Sequence, residues 1–103
     1  MKVVVITEFR PQGSDSTVGQ NIEVAEAGKV LDDLHQRGIL QTIHLRKDRP
    51  GTVMLMECGT VEDAHQHISN LPGVINGTTE YYLIPLGSEL PPNAFLGARM
   101  AGH

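Results

Sequence analysis

Two histidines, His65 and His67, lie one residue apart in the stretch EDAHQHISNLPG and are the first candidates for metal chemistry. Residues two apart on a helix are separated by roughly 200° around its axis, so these imidazoles point in nearly opposite directions. A helical metal pair uses a spacing of three or four residues, and no cysteine or further histidine lies nearby in the sequence. The pattern therefore predicts no metal site, with His65 as a partly buried packing residue and His67 exposed.

Two other features, the single cysteine and a glycine-containing loop, could take part in chemistry, but the sequence lacks the partner residues that each would need. Cys58 is the single cysteine and cannot form an internal disulfide. No base that would activate it is identifiable, so a packing role is favoured over nucleophilic catalysis. The loop from Gly13 to Gly19 lacks the Gly-Lys-Ser/Thr ending of phosphate-binding loops, which argues against nucleotide binding. Its length and composition are typical of a lid over a pocket.

Composition places the chain among ordinary globular proteins. Its 103 residues suffice for one small domain, and 40% hydrophobic with 19% charged residues excludes a disordered chain. The net charge of −4, with scattered lysines and arginines, argues against nucleic acid or an anionic membrane as partner. No apolar stretch is long enough for a signal peptide or a membrane span. Together with the single cysteine, this predicts a cytoplasmic protein.

Strands and helices are predicted in the order β-α-β-β-α-β. Short Val- and Ile-rich runs predict strands at 2–8, 39–46, 52–58 and 78–86, and helical periodicity predicts helices at 22–38 and 61–70. Thr60 is the expected N-cap of the second helix, Pro72 its stop, and 73–77 a loop. This order is that of the ferredoxin-like α+β fold, a four-stranded antiparallel sheet with both helices on one face. Residues 1–86 form this domain and residues 87–103 a C-terminal tail.

The strands lack a clean alternation of apolar and polar residues. Because successive side chains point to opposite faces of a sheet, both faces are predicted to be apolar. The helices cover only one face, and soluble monomers rarely expose a large apolar patch. A second copy of the sheet is the simplest cover, which predicts a homodimer packed face to face, with higher oligomers left open. The tail, with Phe95, Leu96 and Met100, is expected to pack on the partner subunit.

Residues 34–86 resemble the muconolactone isomerase family, a branch of the dimeric α+β barrel superfamily. The resemblance is carried by Arg46 and by four short segments, which are LHQRG at 34–38, EDAH at 62–65, SNLP at 69–72 and IPL at 84–86. It implies an enzyme without cofactor that moves a proton between carbons of an unsaturated lactone or another intermediate of aromatic degradation. Such a step needs a base, a proton donor and stabilisation of a developing enolate.

The resemblance also implies a pocket between the helix-free face of the sheet and the partner subunit. The candidate catalytic residues are His44, Glu8 and Tyr82, as base or acid and as a donor to a carbonyl. Arg46 is expected to bind a carboxylate or enolate as a fork, or else to form a rim salt bridge with Glu8 or Glu57. Substrate contacts are further expected from Thr42, on the same strand face as His44, and from Met54 and Met56.

Two other functions stay open on the same fold. One is a monooxygenase, either cofactor-free or haem-using. The other is a non-enzymatic dimer that binds a small molecule, or whose lumen is plugged by Met54, Met56 and Tyr82. A fold of this kind hosts many activities and does not choose among them.

Overall fold

The computed structural model describes residues 1–10 and 17–94, with the backbone alone described for residues 17–24. The elements in chain order are β1 (Lys2–Phe9), α1 (Thr17–Gln36), β2 (Leu40–Leu45), β3 (Thr52–Glu57), α2 (Val61–Ser69), α3 (Pro72–Asn76) and β4 (Thr79–Pro85). The predicted β-α-β-β-α-β order is confirmed, and the short helix α3 is added to it. No helix in these described ranges is long and apolar enough to cross a membrane.

The four strands form one antiparallel sheet in the order β2-β3-β1-β4. The two longest strands, β1 and β4, pair over seven residues from Val3–Pro85 to Phe9–Thr79. β1 therefore lies at the centre of the sheet, and β2 and β4 are its edges. This is the ferredoxin-like α+β fold that the sequence predicts.

The hydrophobic core lies between the helices and one face of the sheet. Every second residue of the two central strands is buried there, namely Val3, Val5 and Thr7 from β1 and Thr52, Met54 and Met56 from β3. Leu34 from α1 and Ala64 and Ile68 from α2 complete the core from the helix side. Because strand residues alternate between faces, this burial pattern shows that α1 and α2 pack on the same side of the sheet.

A β-bulge at Gln41 sets the orientation of the residues that follow it in β2. Leu40 pairs with Met56 and is buried on the helix side, whereas Thr42 pairs with Leu55 on the opposite face. In a regular strand without a bulge, Leu40 and Thr42 would share one face, because side chains repeat every two residues. Gln41 itself donates from Nε2 to the carbonyl oxygen of Gly38 at 2.6 Å.

The ends of α2 and α3 show why residues 73–76, expected to be a loop, are helical. Thr60 caps α2 as predicted, with Oγ1 accepting a hydrogen bond from the Asp63 N–H at 3.1 Å. Pro72, expected only as a stop, also occupies the first turn of α3, where its missing N–H costs nothing and its fixed φ suits a helix. Gly77, at φ 81°, ends α3 in the left-handed conformation that favours glycine.

The face of the sheet opposite the helices, here called the open face, is not covered by any of the described residues. The apolar side chains on it are Val4 and Ile6 from β1, Val53 and Leu55 from β3, and Tyr82 and Ile84 from β4. Tyr82 is 57% exposed and Ile84 is 42% exposed. The sequence prediction of a second apolar sheet face is therefore confirmed. Phe95, Leu96 and Met100 of the tail lie outside the described residues.

Candidate functional site

Strand register arranges the open face into three rows that run across all four strands. The histidine–tyrosine row is His44, Val53, Ile6 and Tyr82, and the apolar row next to it is Thr42, Leu55, Val4 and Ile84. The same register continues into a charged row of Arg46, Gly51, Glu8 and Glu80, in which the Arg46 N–H donates to the Gly51 carbonyl at 3.0 Å. The open face therefore has an apolar floor with charged groups at both ends, the charged row at one end and the cross-strand partners Lys2 and Glu57 at the other.

A concave region of about 390 Å³ lies where β1 meets β4, at the end of this floor that carries the charged row. It is lined by Ile6, Glu8, Thr79, Glu80, Tyr81 and Tyr82. Two of the predicted catalytic residues, Glu8 and Tyr82, thus line one region, and Ile6 pairs with Tyr82 across the strands. A carboxylate and a phenol beside an apolar floor are suited to proton exchange with a small organic molecule.

Two carboxylates face each other in the concave region. Glu8 and Glu80 are direct cross-strand partners, an arrangement that is unfavourable for like charges unless cations balance it. Arg10 forms an ion pair with Glu80, and Arg49 contacts Glu8 with Nη1 at 3.5 Å from Oε1. Glu80 is therefore the more closely paired of the two, and Glu8 keeps the looser contact.

Arg46 lies at the β2 end of the charged row, with a side chain only 14% exposed. Its Nε and Nη2 donate to the two carboxylate oxygens of Asp48 at 3.0 and 2.7 Å, and its Nη1 donates to the Thr7 carbonyl at 3.2 Å. The salt bridge predicted with Glu8 or Glu57 is therefore wrong, because the turn after β2 brings Asp48 closer. Hydrogen bonding to Asp48 raises the pKa of Arg46, and electrostatic interactions with Tyr82 and Glu8 raise it further.

The hydrogen bond from Arg46 lowers the pKa of Asp48 from its ordinary 3.8 to about 2. In a titration followed by the Asp48 carboxyl carbon signal, we expect a midpoint at about 2, which returns toward 3.8 in Arg46→Gln. Since the folded pKa is the lower one, the pair stabilises the fold above the ordinary pKa, and this contribution is lost as the pH falls through about 2. Equal midpoints in the two proteins would show that Arg46 does not hold Asp48.

Gly51 leaves the space through which Arg46 reaches β1. A Cβ at Gly51 would lie 2.1 Å from the Thr7 carbonyl oxygen and 3.0 Å from Cδ of Arg46, and the backbone has φ 155°. Only glycine combines this φ with so close a contact. Asp48 and Gly51 are therefore positioning residues for Arg46. The residue types of 47–51, with Pro50 and Gly51, are typical of a tight turn, but they do not specify these contacts.

His44 and Thr42 lie on the open face, as the alternation in β2 predicts, but at the edge opposite Tyr82. His44 and Tyr82 share the histidine–tyrosine row, with β3 and β1 between them. Three strand spacings separate their backbones by about 14 Å. Within one subunit, the structure therefore brings Glu8 and Tyr82 together and leaves His44 and Thr42 apart from them.

Met54 and Met56 do not reach the open face. They are 2% and 0% exposed and belong to the core beneath the helices. Their register partners Val5 and Val3 are buried with them. The expectation that they line a pocket, or plug a barrel lumen, is corrected accordingly. Strand β3 is apolar on both faces, so its sequence gave no sign of which residues turn inward.

A second polar pair, which the sequence did not predict, lies on the helix side of the sheet. Nδ1 of His65 lies 2.8 Å from the Tyr81 hydroxyl, and the two rings make an edge-to-face contact with centroids 5.4 Å apart. His65, expected to be partly buried, is exposed, whereas His67, expected to be exposed, is half-buried. Cys58 is buried, which raises the pKa of its thiol. In the part of the chain that the structure describes, no three His, Cys, Asp or Glu side chains are grouped so as to hold a metal ion.

Comparison with known proteins connects the fold to several enzymes. No protein-family model and no curated protein matches the chain. Among solved structures, muconolactone isomerase superimposes with a TM-score of 0.75 and 12% sequence identity, covering 86% of this chain and 91% of that one. The fold resembles that of muconolactone isomerase. The resemblance suggested by the sequence is thereby confirmed at the level of the fold.

Two further structures share the fold. A 5-chloro-2-hydroxyhydroquinone dehydrochlorinase from Burkholderia phenoliruptrix AC1100, in complex with 2,5-dihydroxybenzoquinone, has a TM-score of 0.67 and 17% identity, covering 86% of this chain and 96% of that one. An antibiotic biosynthesis monooxygenase has a TM-score of 0.54 and 15% identity, covering 88% of this chain and all of that one. Identities this low establish the fold and leave the activity to the residues of the site.

Proposed function

We propose that two copies of this chain pack their open faces together, and that the enclosed pocket catalyses a cofactor-free proton transfer on a small unsaturated ring compound. The observation that carries the proposal is the concave region in which Glu8 and Tyr82 lie beside the apolar floor. A lactone or an intermediate of aromatic degradation fits such a floor. Two fold relatives, a muconolactone isomerase and a dehydrochlorinase bound to a benzoquinone, support this substrate class.

In the proposed reaction, the Glu8 carboxylate takes a proton from a carbon next to the substrate carbonyl. The electron pair left behind moves onto the carbonyl oxygen, and the Tyr82 hydroxyl donates a hydrogen bond to that developing enolate. Protonation at a second carbon by His44 then completes the isomerisation, after which Glu8 releases its proton to solvent and His44 regains one from solvent. Arg46 and Thr42 contribute to binding, Arg46 through its remaining N–H groups. Covering the face with a second sheet excludes water and strengthens each of these interactions.

The test is the wild-type protein with muconolactone in D₂O, followed by proton NMR. We expect isomerisation with incorporation of one deuterium at carbon, because the proton that His44 delivers to the substrate comes from solvent. In parallel, 2,5-dihydroxybenzoquinone is titrated as a ligand probe. Binding of the quinone without any exchange in the lactone would replace the isomerase with a non-enzymatic binding dimer.

The monooxygenase alternative is favoured by one observation, the fold shared with the antibiotic biosynthesis monooxygenase. A cofactor-free oxygenase also needs an apolar pocket with a base that forms a substrate carbanion, which Glu8 provides here equally well. Oxygen consumption with dihydroxylated aromatic substrates distinguishes the two. Uptake of oxygen, without isomerisation of the lactone, would establish the alternative. A haem-using form would show a Soret absorption after haem is added.

The dimer is tested at the centre of the open face. Val53→Asp places a carboxylate on the apolar floor, where a second sheet would bury it without a partner, so we expect the dimer dissociation constant to rise at least about tenfold. Leu45→Asp is the matched control, since Leu45 is 81% exposed and shares the helix side with Thr52. Light scattering over a dilution series measures both. If the two variants associate alike, the open face is not the interface.

A further inference from the structure

The histidine–tyrosine row poses a geometric problem for one subunit acting alone. His44 and Tyr82 stand at opposite edges of the sheet, about 14 Å apart, with their side chains on the same face. Val53 and Ile6 lie between them in the row. A small ring compound in the concave region contacts Glu8 and Tyr82, and His44 of the same subunit is out of its reach.

We infer that the site is composite: His44 of the partner subunit completes the concave region that Glu8 and Tyr82 line. This deepens the proposed function and rests on it. Two sheets stacked face to face and related by a two-fold axis parallel to the strands place the partner's β2 over β4. Because the axis runs along the strands, each row faces the same row of the partner, so the partner's His44 faces Tyr82.

The distribution of charge selects this axis. With it, the partner's Arg46 faces Glu80 within the charged row. Beyond the apolar row, Lys2 and Glu57 are cross-strand partners, and the partner's Glu57 faces Lys2. Each contact occurs twice by symmetry, which gives four pairs of opposite charge. Opposed charges of this kind fix the register of an interface and exclude other arrangements.

The other face-to-face arrangement fits less well. A two-fold axis across the strands places each strand over its own copy and turns the charged row toward the Lys2 end of the partner. Only Lys2 against the partner's Glu8 is then a pair of opposite charge. Glu80 would face the partner's Leu86, so its charge would be buried against an apolar side chain when water is excluded from the interface.

Sheet spacing brings the partner's His44 within working range. Stacked sheets lie about 10 Å apart, and side chains from both of them fill that gap. An imidazole and a phenol that point toward each other across it therefore approach the same small molecule. The partner's Val53 then covers Ile6, so the floor of the concave region becomes a closed apolar wall. Each dimer holds two such sites, one at each end of the row.

Cysteine cross-linking tests this geometry without using activity. His44→Cys, Tyr82→Cys and the double variant are treated with a short bismaleimide, with the wild type as control because its Cys58 is buried. We expect covalent dimers from the double variant, and from a mixture of the two single variants, but not from either single variant alone. Covalent dimers from the single variants would overturn the inference, because they require each β2 to lie over its own copy.

Light scattering of the same proteins distinguishes failure of the composite site from failure of the proposed function. A dimer with the wrong cross-linking pattern overturns the composite site alone. A monomer at every concentration overturns the proposed function together with it. Cross-links confined within one chain would likewise overturn the composite site.

Subunit complementation adds a catalytic readout once a substrate is turned over. Glu8→Gln and His44→Ala homodimers are mixed and allowed to exchange subunits. In a composite site, each heterodimer has one site with both substitutions and one with neither, so about a quarter of the wild-type activity returns. If Glu8 and His44 acted within one subunit, every site would carry one substitution, and no recovery would overturn the inference.

Discussion

Gly51→Ala is expected to lower the free energy of unfolding by about 3 kcal/mol or more. The added methyl group would stand 2.1 Å from the Thr7 carbonyl oxygen, which belongs to the central strand and cannot move aside. The φ of 155° adds strain for any residue with a side chain. A contact at 3.0 Å would also push Cδ of Arg46 away from β3. Urea unfolding, followed by circular dichroism, measures the change.

Gly28→Ala is the control for this substitution. Gly28 lies within α1 and has nothing within 4 Å of its added Cβ, so alanine there is expected to stabilise the protein by up to about 1 kcal/mol. The same chemical change thus has opposite signs at the two positions. Similar destabilisation at both would show that Gly51 is not confined as described. Retained stability in Gly51→Ala would mean that Arg46 and Thr7 relax around the methyl group.

Glu8→Gln is expected to lower turnover of any substrate that loses a carbon-bound proton by a factor of about 10² to 10⁴. The amide keeps the shape of the side chain and removes its capacity to accept a proton. Binding of the substrate depends mainly on the apolar floor, so the effect should fall on kcat rather than KM. Steady-state kinetics together with solvent deuterium exchange would measure both.

Glu80→Gln serves as the matched control in the same concave region. Glu80 is the direct cross-strand partner of Glu8 and is paired with Arg10. Its loss removes a charge from the region without removing the proposed base, so we expect turnover to change only a few-fold at protein concentrations at which light scattering shows an intact dimer. If Glu80→Gln were the more damaging substitution, the assignment of the base to Glu8 would be wrong.

Most of the fold can be predicted from the sequence, because most local sequence signals agree with the tertiary structure. The Val- and Ile-rich run at 3–6 becomes the central strand β1, and Thr60 caps α2 through the Asp63 N–H. The exceptions lie where two signals compete. Leu71-Pro72-Gly73 reads as a stop, yet proline suits the first turn of a helix as well as it ends the preceding one. The start of α1 at Thr17 was hidden among several possible caps in a polar segment.

Less of the site can be predicted from the sequence, because the site depends on which face of each strand packs against the helices. In β2 the polar set Thr42 and His44 differs from its apolar neighbours, and the sequence places both residues on the open face. In β3 the run from Val53 to Met56 is apolar throughout, and the assignment of the methionines to a pocket is wrong. Pairing between Arg46 and Asp48 depends on the path of a turn, which residue types alone do not specify.

The bulge at Gln41 gives β2 one residue more than its pairing with β3 uses, so the composition of the open face depends on how that residue is accommodated. Deleting Gln41 would restore simple pairing after Leu40 and leave Thr42 and His44 on the open face. Straightening the bulge with Gln41 retained would instead shift the register by one residue, bring Ile43 to the apolar floor and turn His44 toward the helices. A one-residue deletion at the bulge is therefore expected to be neutral for the open face, whereas loss of the bulge alone would exchange the polar and apolar sides of β2.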